Sequence, residues 1–213
     1  MSVAPVVDLR HKFGPARNQA GRQTCLAFAI SDAHAEARGL PYEELSAEFI
    51  FYHAAKRAPV FNPHGGITVE NGLMTLENEG QPLESGWPYM PQLPADVSSY
   101  KPPADYGKVY TRGSALGIGS NIRTTLDNGK TALAAMAITT DFHYARAGEV
   151  IRADSNSKFA GYHAVLIVGY GQENNDTVYL IRNSWGTKWC EAGNAWLAED
   201  YLTSRLYAVA MMQ

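Results

Sequence analysis

The stretch QAGRQTCLAF, residues 19–28, places a cysteine at the start of a long apolar run. Thr24 has the residue type of a helix N-cap, residues 25–38 are mostly apolar or alanine, and Gly39 and Pro41 end the run. This pattern predicts a buried central helix over residues 25–38 with Cys25 in its first turn. A thiol there meets unpaired N–H groups and the positive end of the helix dipole, so we expect a lowered thiol pKa.

Two downstream residues supply what a nucleophilic cysteine needs. His163 follows Cys25 by 138 residues, and Asn183 follows His163 by 20. An imidazole beside the thiol would take its proton and return it to a leaving amine, and an asparagine would orient the ring. Gln19, six residues before the cysteine, adds an amide that could bind an oxyanion together with the Cys25 backbone N–H. We therefore predict Cys25, His163, Asn183 and Gln19 as catalytic residues.

The composition is that of an ordinary soluble globular domain, with 213 residues, 46% hydrophobic and 18% charged. The 18 Lys and Arg against 21 Asp and Glu give a net charge of −3, and no basic run is present, so we exclude a nucleic-acid partner. The longest apolar stretches, 131–138 and 164–168, fall far below the ~18 residues that span a bilayer, so we expect no membrane segment.

Cysteine usage and the first residues bear on localisation. Cys25 and Cys190 are the only cysteines, which favours a reducing compartment, and residues 1–8 lack the pattern of a signal peptide. We expect a cytoplasmic location, with export as an effector without a visible signal peptide as the alternative. The other histidines lack metal-ligand spacing, so we expect no metal, and we expect no cofactor; they are His11, His34, His53, His64 and His143.

Helix signals dominate the first half of the chain and strand signals the second. Further helices are predicted from Ser46 as N-cap to about Lys56, over 69–79, and over 121–128 after Ser120. Six prolines within 81–103 predict an irregular segment that crosses between two lobes. Strands are predicted at 132–139, 163–170, 178–182, 195–198 and 206–211. The fold class is α+β: one domain, 1–213, with a helical lobe over about 8–105, an antiparallel barrel-like β lobe over about 106–213, and a cleft between them.

Taken together, these features resemble the papain-like (C1) family of cysteine peptidases. The resemblance rests on the Cys25 helix and on segments 7–10, 15–19, 65–66, 87–89, 163–171 and 182–194. It implies a papain-like two-lobe fold, a peptide or protein substrate, and hydrolysis through a covalent acyl-enzyme. It also implies that a proteinaceous inhibitor or a pro-segment outside these residues could occupy the cleft.

The resemblance further implies which residues contact substrate. Gly65 and Gly66 would pair their backbone with an extended peptide, and Trp185 would lie beside the catalytic histidine. Tyr162, Ala164, Met136 and Ala137 would lie near the pocket for the second residue before the scissile bond.

The chain also departs from the family pattern. Around the nucleophile, the family's CGSCW is here RQTCL, residues 22–26, so the neighbouring disulfide cysteine and the following tryptophan are both absent. Arg22 and Gln23 replace small residues and are expected to narrow or charge the cleft. Tyr162 stands where Asp is frequent, and Cys190 stands where Gly is usual.

Two other functions fit the same residues. An acyltransferase or transpeptidase would use the same acyl-enzyme and let an amine resolve it. A non-catalytic peptide-binding module is the third reading, and it ranks last because all four predicted catalytic residues are present.

Overall fold

The computed structural model describes residues 3–117, 122–154 and 156–213. Its helices are α1 (Cys25–Arg38), α2 (Ala47–Lys56), α3 (Val69–Asn78), α4 (Ile122–Asp127), α5 (Thr140–His143) and α6 (Glu199–Arg205). Its strands are β1 (Ala4–Asp8), β2 (Gln81–Pro82), β3 (Val109–Tyr110), β4 (Ser114–Gly117), β5 (Ala132–Thr139), β6 (Val150–Ile151), β7 (Phe159–Glu173), β8 (Asp176–Arg182), β9 (Asn194–Ala198) and β10 (Leu206–Met212). The α+β fold class is confirmed, with helices concentrated in the first half and strands in the second. Within the described ranges, no helix is long and apolar enough to cross a membrane.

The predicted helices form, but their caps differ. Helix α1 spans the predicted residues, and the Ser46 hydroxyl caps α2 by accepting from the backbone N–H of Phe49 at 3.0 Å. Thr24 is the N-cap residue of α1, as predicted, but its side chain makes no cap bond: its hydroxyl lies 2.8 Å from the Tyr89 hydroxyl. Ser120 and Asn121, where another helix was predicted to begin, lie outside the described residues.

The large sheet follows the order β4-β10-β5-β7-β8-β9-β6, and β1 pairs with β7 beside this order. The pairs are antiparallel except β6 with β9. Strand β7 is the longest and pairs with β5, β8 and β1. Its Gly169 allows β1 to approach closely, because a Cβ there would lie 2.3 Å from the carbonyl oxygen of Val7.

The proline-rich segment does not cross between lobes where predicted. Trp87 and Tyr100 are buried in the helical half, and β2 pairs with β3. After β1, the chain next joins the large sheet at β4, and the aromatic side chains of the proline-rich segment pack against Tyr52 of α2.

Two hydrophobic clusters lie on opposite faces of the sheet. The first joins α1, α2 and α3 to residues such as Leu133 and Leu166, and the second packs Phe142 and Tyr201 against the other face. Since α1 packs directly on β7, the amino terminus of the central helix lies against the strand that carries His163. The fold thus brings two residues 138 positions apart to one cleft.

Candidate active site

Cys25 is the first residue of α1 and is partly exposed on the wall of the cleft. The backbone N–H of Ala164, next to His163 on β7, donates a hydrogen bond to its sulfur. The N–H groups of Leu26 and of Cys25 itself also face the sulfur, as expected at a helix amino terminus. This contact joins the helical half to the β half at the reactive atom.

The imidazole of His163 is held by Asn183 at the end of β8. His163 Nε2 lies 2.7 Å from Asn183 Oδ1, and the same oxygen accepts from the backbone N–H of Ser184 at 2.8 Å. Because a backbone N–H can only donate, the atom facing both groups is the amide oxygen, and His163 Nε2 must carry a proton. In the neutral ring, Nδ1 is therefore the unprotonated nitrogen, free to accept the thiol proton.

Burial dominates the electrostatics of the two groups. It raises the pKa of the Cys25 thiol, although the surrounding N–H groups act in the opposite direction. It also lowers the pKa of His163 to about 4, against the effect of the Asn183 hydrogen bond. The predicted lowering of the thiol pKa is therefore wrong, because the loss of hydration on burial outweighs the helix amino terminus. Each group by itself therefore favours its neutral form.

The side chain of Gln19 is fixed in one orientation. Its Nε2 donates to the carbonyl oxygen of Arg22 at 2.7 Å, and its Oε1 accepts from the Ser184 hydroxyl at 2.7 Å. A primary amide has two N–H donors, so one proton of Nε2 remains for an oxyanion. Gln19 N also donates to the carbonyl oxygen of Ser184 at 2.8 Å, which ties the predicted oxyanion donor to the segment that carries Asn183.

A cavity of about 660 Å³ adjoins Cys25 and His163 and is lined mainly by apolar side chains. Of the predicted substrate-binding residues, Gly66, Tyr162 and Ala164 line it, and Gly65 lies next to Gly66 in the chain. Other residues on its walls include Leu26, Ile67, Val69, Ala135, Tyr207 and Ala208. The cavity thus offers an apolar pocket directly beside the reactive sulfur.

The prediction for Met136 is wrong. In the β5–β7 ladder it lies opposite His163 and is fully buried in the second cluster, whereas Ala135 lies opposite Ala164 and lines the cavity. Adjacent strand residues face opposite sides of a sheet, so a shift of one residue moves a side chain from cleft to core. Ala137 is partly exposed and is not among the cavity residues.

Aromatic rings enclose the far side of the His163 imidazole. Trp185 lies 4.8 Å from it between ring centroids, outside the cavity wall, and Phe142 lies at 5.7 Å. His143 stacks on Trp185 at 4.8 Å with an interplanar angle of 9°, and its positive charge contributes to the lowered pKa of His163. Phe142 and His143 are not among the residues predicted for the site, although an aromatic run directly after a buried strand was the available signal.

Arg22 does not charge the cleft as predicted. Its side chain is 8% exposed and turns into the helical half, where it pairs with Glu48 at 2.7 Å. Only Gln23 of the two substituted residues lines the cavity, and it is uncharged. A charged side chain is seldom buried without an oppositely charged partner, and the sequence alone does not reveal that Glu48 is the partner of Arg22. Arg22 was therefore expected at the cleft.

The chain is similar to known cysteine proteases in sequence. A family model described as papain family cysteine protease matches residues 4–211. Peptidase 1 of Euroglyphus maynei is 30% identical over 206 residues, covering 94% of this chain and 62% of that protein. Human cathepsin L2 is 26% identical over 211 residues, covering 91% of this chain and 60% of that protein.

Solved structures show the same fold. Xylellain, a cysteine protease from Xylella fastidiosa, superposes with a TM-score of 0.77 at 23% identity, covering 100% of this chain and 87% of that chain. A Carica candamarcensis cysteine protease in complex with E-64 gives a TM-score of 0.73 at 21% identity, covering 97% of both chains. The chain thus spans about three fifths of the length of the curated relatives above and nearly all of the Carica chain.

Proposed function

The chain belongs to the papain family of cysteine proteases, and from this premise we propose that it is a cysteine endopeptidase acting through an acyl-enzyme on Cys25. The observation that carries the proposal is the 2.7 Å contact between His163 Nε2 and Asn183 Oδ1. It fixes the tautomer that leaves Nδ1 as the proton acceptor. Gln19, positioned from the same segment, supplies the donor for the charge that then develops on the substrate.

The reaction follows from these atoms. His163 Nδ1 takes the thiol proton, and the sulfur electron pair forms a bond to the substrate carbonyl carbon while the C=O electrons move to oxygen. Gln19 Nε2–H and the Cys25 backbone N–H donate to that oxyanion. His163 then gives its proton to the amide nitrogen, the C–N bond breaks, and an amine leaves the thioester. Water then attacks the thioester carbon while His163 accepts a proton from it, the C–S bond breaks, and His163 returns that proton to the sulfur as the carboxylic acid departs.

The cavity also supports a substrate class. Gly66 lies exposed on the cleft wall, where the absence of a side chain lets an extended peptide approach the backbone. The apolar walls, with Ala135 and Ala164 as small residues, leave room for a large apolar side chain beside the scissile bond. We therefore propose peptides with an apolar residue near the cleavage point as substrates.

A labelling and cleavage experiment tests this function. Under reducing conditions, a vinyl-sulfone probe should add once to the wild type and to Cys190→Ala, and both should cleave a peptide library at internal bonds. Cys25→Ala should neither label nor cleave while keeping the wild-type circular dichroism. Labelling that spares Cys25, or cleavage that survives in Cys25→Ala, would overturn the proposal.

A further inference from the structure

The loop that carries Gln19 is held in an unfavourable backbone conformation. Ala20 has a φ of +51°, a left-handed value that costs a residue with a Cβ about 1–2 kcal/mol. Such strain persists only where surrounding contacts over-determine the conformation. What holds this loop therefore also determines where the Gln19 amide points.

One anchor of the loop is the buried side chain of Arg22. Its guanidinium donates to both carboxylate oxygens of Glu48, at 2.7 and 2.9 Å, and to the carbonyl oxygen of Met90 at 2.7 Å. The side chain of Glu48 is fully buried, and it also accepts from the backbone N–H of Met90 and from the Tyr100 hydroxyl. Since the carbonyl oxygen of Arg22 is the acceptor for Gln19 Nε2, fixing this residue fixes the oxyanion donor.

A second anchor is the hydroxyl group of Tyr89. It donates to the carbonyl oxygen of Gln19 at 2.7 Å and lies 2.8 Å from the Thr24 hydroxyl. Because the Tyr89 proton is used on the carbonyl, Thr24 is the donor in the second bond. The ring of Tyr89 also faces the Arg22 guanidinium at 5.2 Å. The two anchors thus form one network that spans the loop from the oxyanion donor to the residue before the nucleophile.

We propose that Arg22, Glu48 and Tyr89 are positioning residues that hold the Gln19 side-chain amide in the orientation that an oxyanion needs. The proposal rests on the acyl-transfer chemistry of the proposed function. The network of Arg22, Glu48 and Tyr89 supports the developing oxyanion and leaves the reactivity of the sulfur unchanged. None of its members contacts His163 or Asn183 through a described hydrogen bond.

Two reactions of the Cys25 thiol distinguish an effect on the oxyanion from an effect on the sulfur. Hydrolysis of a p-nitrophenyl ester passes through an oxyanion, whereas alkylation by iodoacetamide is a displacement at carbon that forms none. The network variant Arg22→Met/Glu48→Gln removes both buried charges together, which avoids leaving one uncompensated. We expect its kcat for ester hydrolysis to fall by about 100-fold, the order of a misplaced catalytic group, with KM and the alkylation rate constant within about twofold of wild type.

Tyr89→Phe is the milder variant and decides the question if the charge-free variant does not fold. It keeps the ring and removes two hydrogen bonds, so we expect a loss of about tenfold in kcat for the ester and an unchanged alkylation rate. Arg57→Met is the control variant: the ion pair of Arg57 with Glu79, at 2.6 Å, is partly exposed, lies in the same half of the molecule and has no described hydrogen bond to the 19–25 loop. Arg57→Met should leave both reactions unchanged.

A double-mutant cycle with Gln19→Ala completes the test. If the network acts through Gln19, adding Tyr89→Phe to Gln19→Ala should lower kcat much less than Tyr89→Phe does alone. Parallel loss of ester hydrolysis and alkylation, or fully additive losses in the cycle, would overturn the proposal. Absence of peptide cleavage by the wild type, with the ester and alkylation signature intact, would instead reject the endopeptidase function and leave the positioning role standing.

Discussion

Asp32 is the residue whose loss we expect to be most damaging outside the cleft. It lies in α1 and is buried between two arginines: Arg17 Nη2 donates to it at 2.8 Å and Arg182 Nε at 2.7 Å. The Tyr42 hydroxyl donates to the same carboxylate at 3.0 Å. Arg182 directly precedes Asn183, so this charge cluster connects the central helix to the strand that leads to Asn183, the hydrogen-bond partner of His163.

The substitution Asp32→Asn keeps the shape and removes the charge. Removing one partner of a buried ion pair costs about 3–5 kcal/mol, because the remaining charge is left without compensation. Here two guanidinium groups lose their shared anion, but Arg182 keeps the carbonyl oxygens of Gly14 and Pro15, at 3.0 and 2.9 Å. We therefore expect a loss of about 4 kcal/mol in the free energy of unfolding, a large part of the 5–15 kcal/mol typical of a domain.

Urea unfolding followed by tryptophan fluorescence measures this loss, and its pH dependence identifies the cause. Burial alone would raise the pKa of Asp32, but Arg17 and Arg182 outweigh it and hold the pKa below the usual value. The stabilisation is therefore complete above pH ~4, where the unfolded carboxylate is also ionised, and is lost as pH falls below that value. The gap between wild type and Asp32→Asn should be full at pH 7 and narrow below pH 4. A gap under about 1 kcal/mol at pH 7, or one that does not change with pH, would refute the reasoning.

Three further predictions follow from single groups. The proposed mechanism needs a neutral His163, so kcat/KM should fall as the pH drops through about 4, the pKa of His163. His143→Phe keeps a ring on Trp185 and removes the electrostatic effect of His143, so it should raise the pKa of His163 and move this fall in kcat/KM to higher pH. An unchanged pH profile would contradict the electrostatic contribution of His143. His34 is fully buried, and burial lowers its pKa from 6.5 to about 4, so as the pH falls His34 is protonated in the unfolded state before it is protonated in the folded state. The free energy of unfolding should therefore fall by about 3 kcal/mol between pH 6.5 and 4. Urea unfolding of His34→Gln across that range should lack this decrease. Cys190 has a φ of +44°, so Cys190→Gly should stabilise the protein by about 0.5 kcal/mol after the entropy of glycine is subtracted, and a destabilisation in thermal unfolding would argue that side-chain packing outweighs backbone strain.

The features that could be predicted from the sequence are those set by local pattern and by spacing. Helix α1 has the predicted bounds because its apolar run and Gly39 act within a few residues. Strand β5 spans the predicted 132–139 for the same reason. His163 and Asn183 could be predicted because the chemistry requires particular residue types and these follow Cys25 in a recognisable order and spacing. The structure brings the two side chains into hydrogen-bond contact. The roles of Cys25, His163, Asn183 and Gln19 in catalysis stay predictions until the variants are measured.

The features that were missed depend on pairing between distant segments. The side of the sheet that Met136 faces is decided by its register with β7, and because β5 is buried on both faces, no local pattern reveals it. Helix α6 is only seven residues long, which is too short to show a clear helical period of apolar residues. Its buried Tyr201 is held by hydrogen bonds between its hydroxyl and Thr139 of β5. Thr24 takes the predicted N-cap position, but its hydroxyl bonds to Tyr89, 65 residues away, and not to the helix backbone.

The departures of this chain around the nucleophile change how its active-site loop is held. At the position where the family resemblance leads one to expect a disulfide cysteine, Arg22 instead reaches a fully buried Glu48. A buried ion pair contributes little net stability compared with a well-packed apolar pair, since desolvation consumes much of the attraction. Its hydrogen bonds are directional, however, and they fix the position of Arg22, whose carbonyl oxygen orients the Gln19 amide. Asp32 acts in the same way behind Asn183, through Arg182. The two buried ion pairs are thus connected to predicted catalytic residues by one hydrogen bond, between Gln19 and Arg22, or by one step along the chain, from Arg182 to Asn183. Substitutions in these ion pairs should therefore lower kcat more than apolar core substitutions that reduce the free energy of unfolding by the same amount.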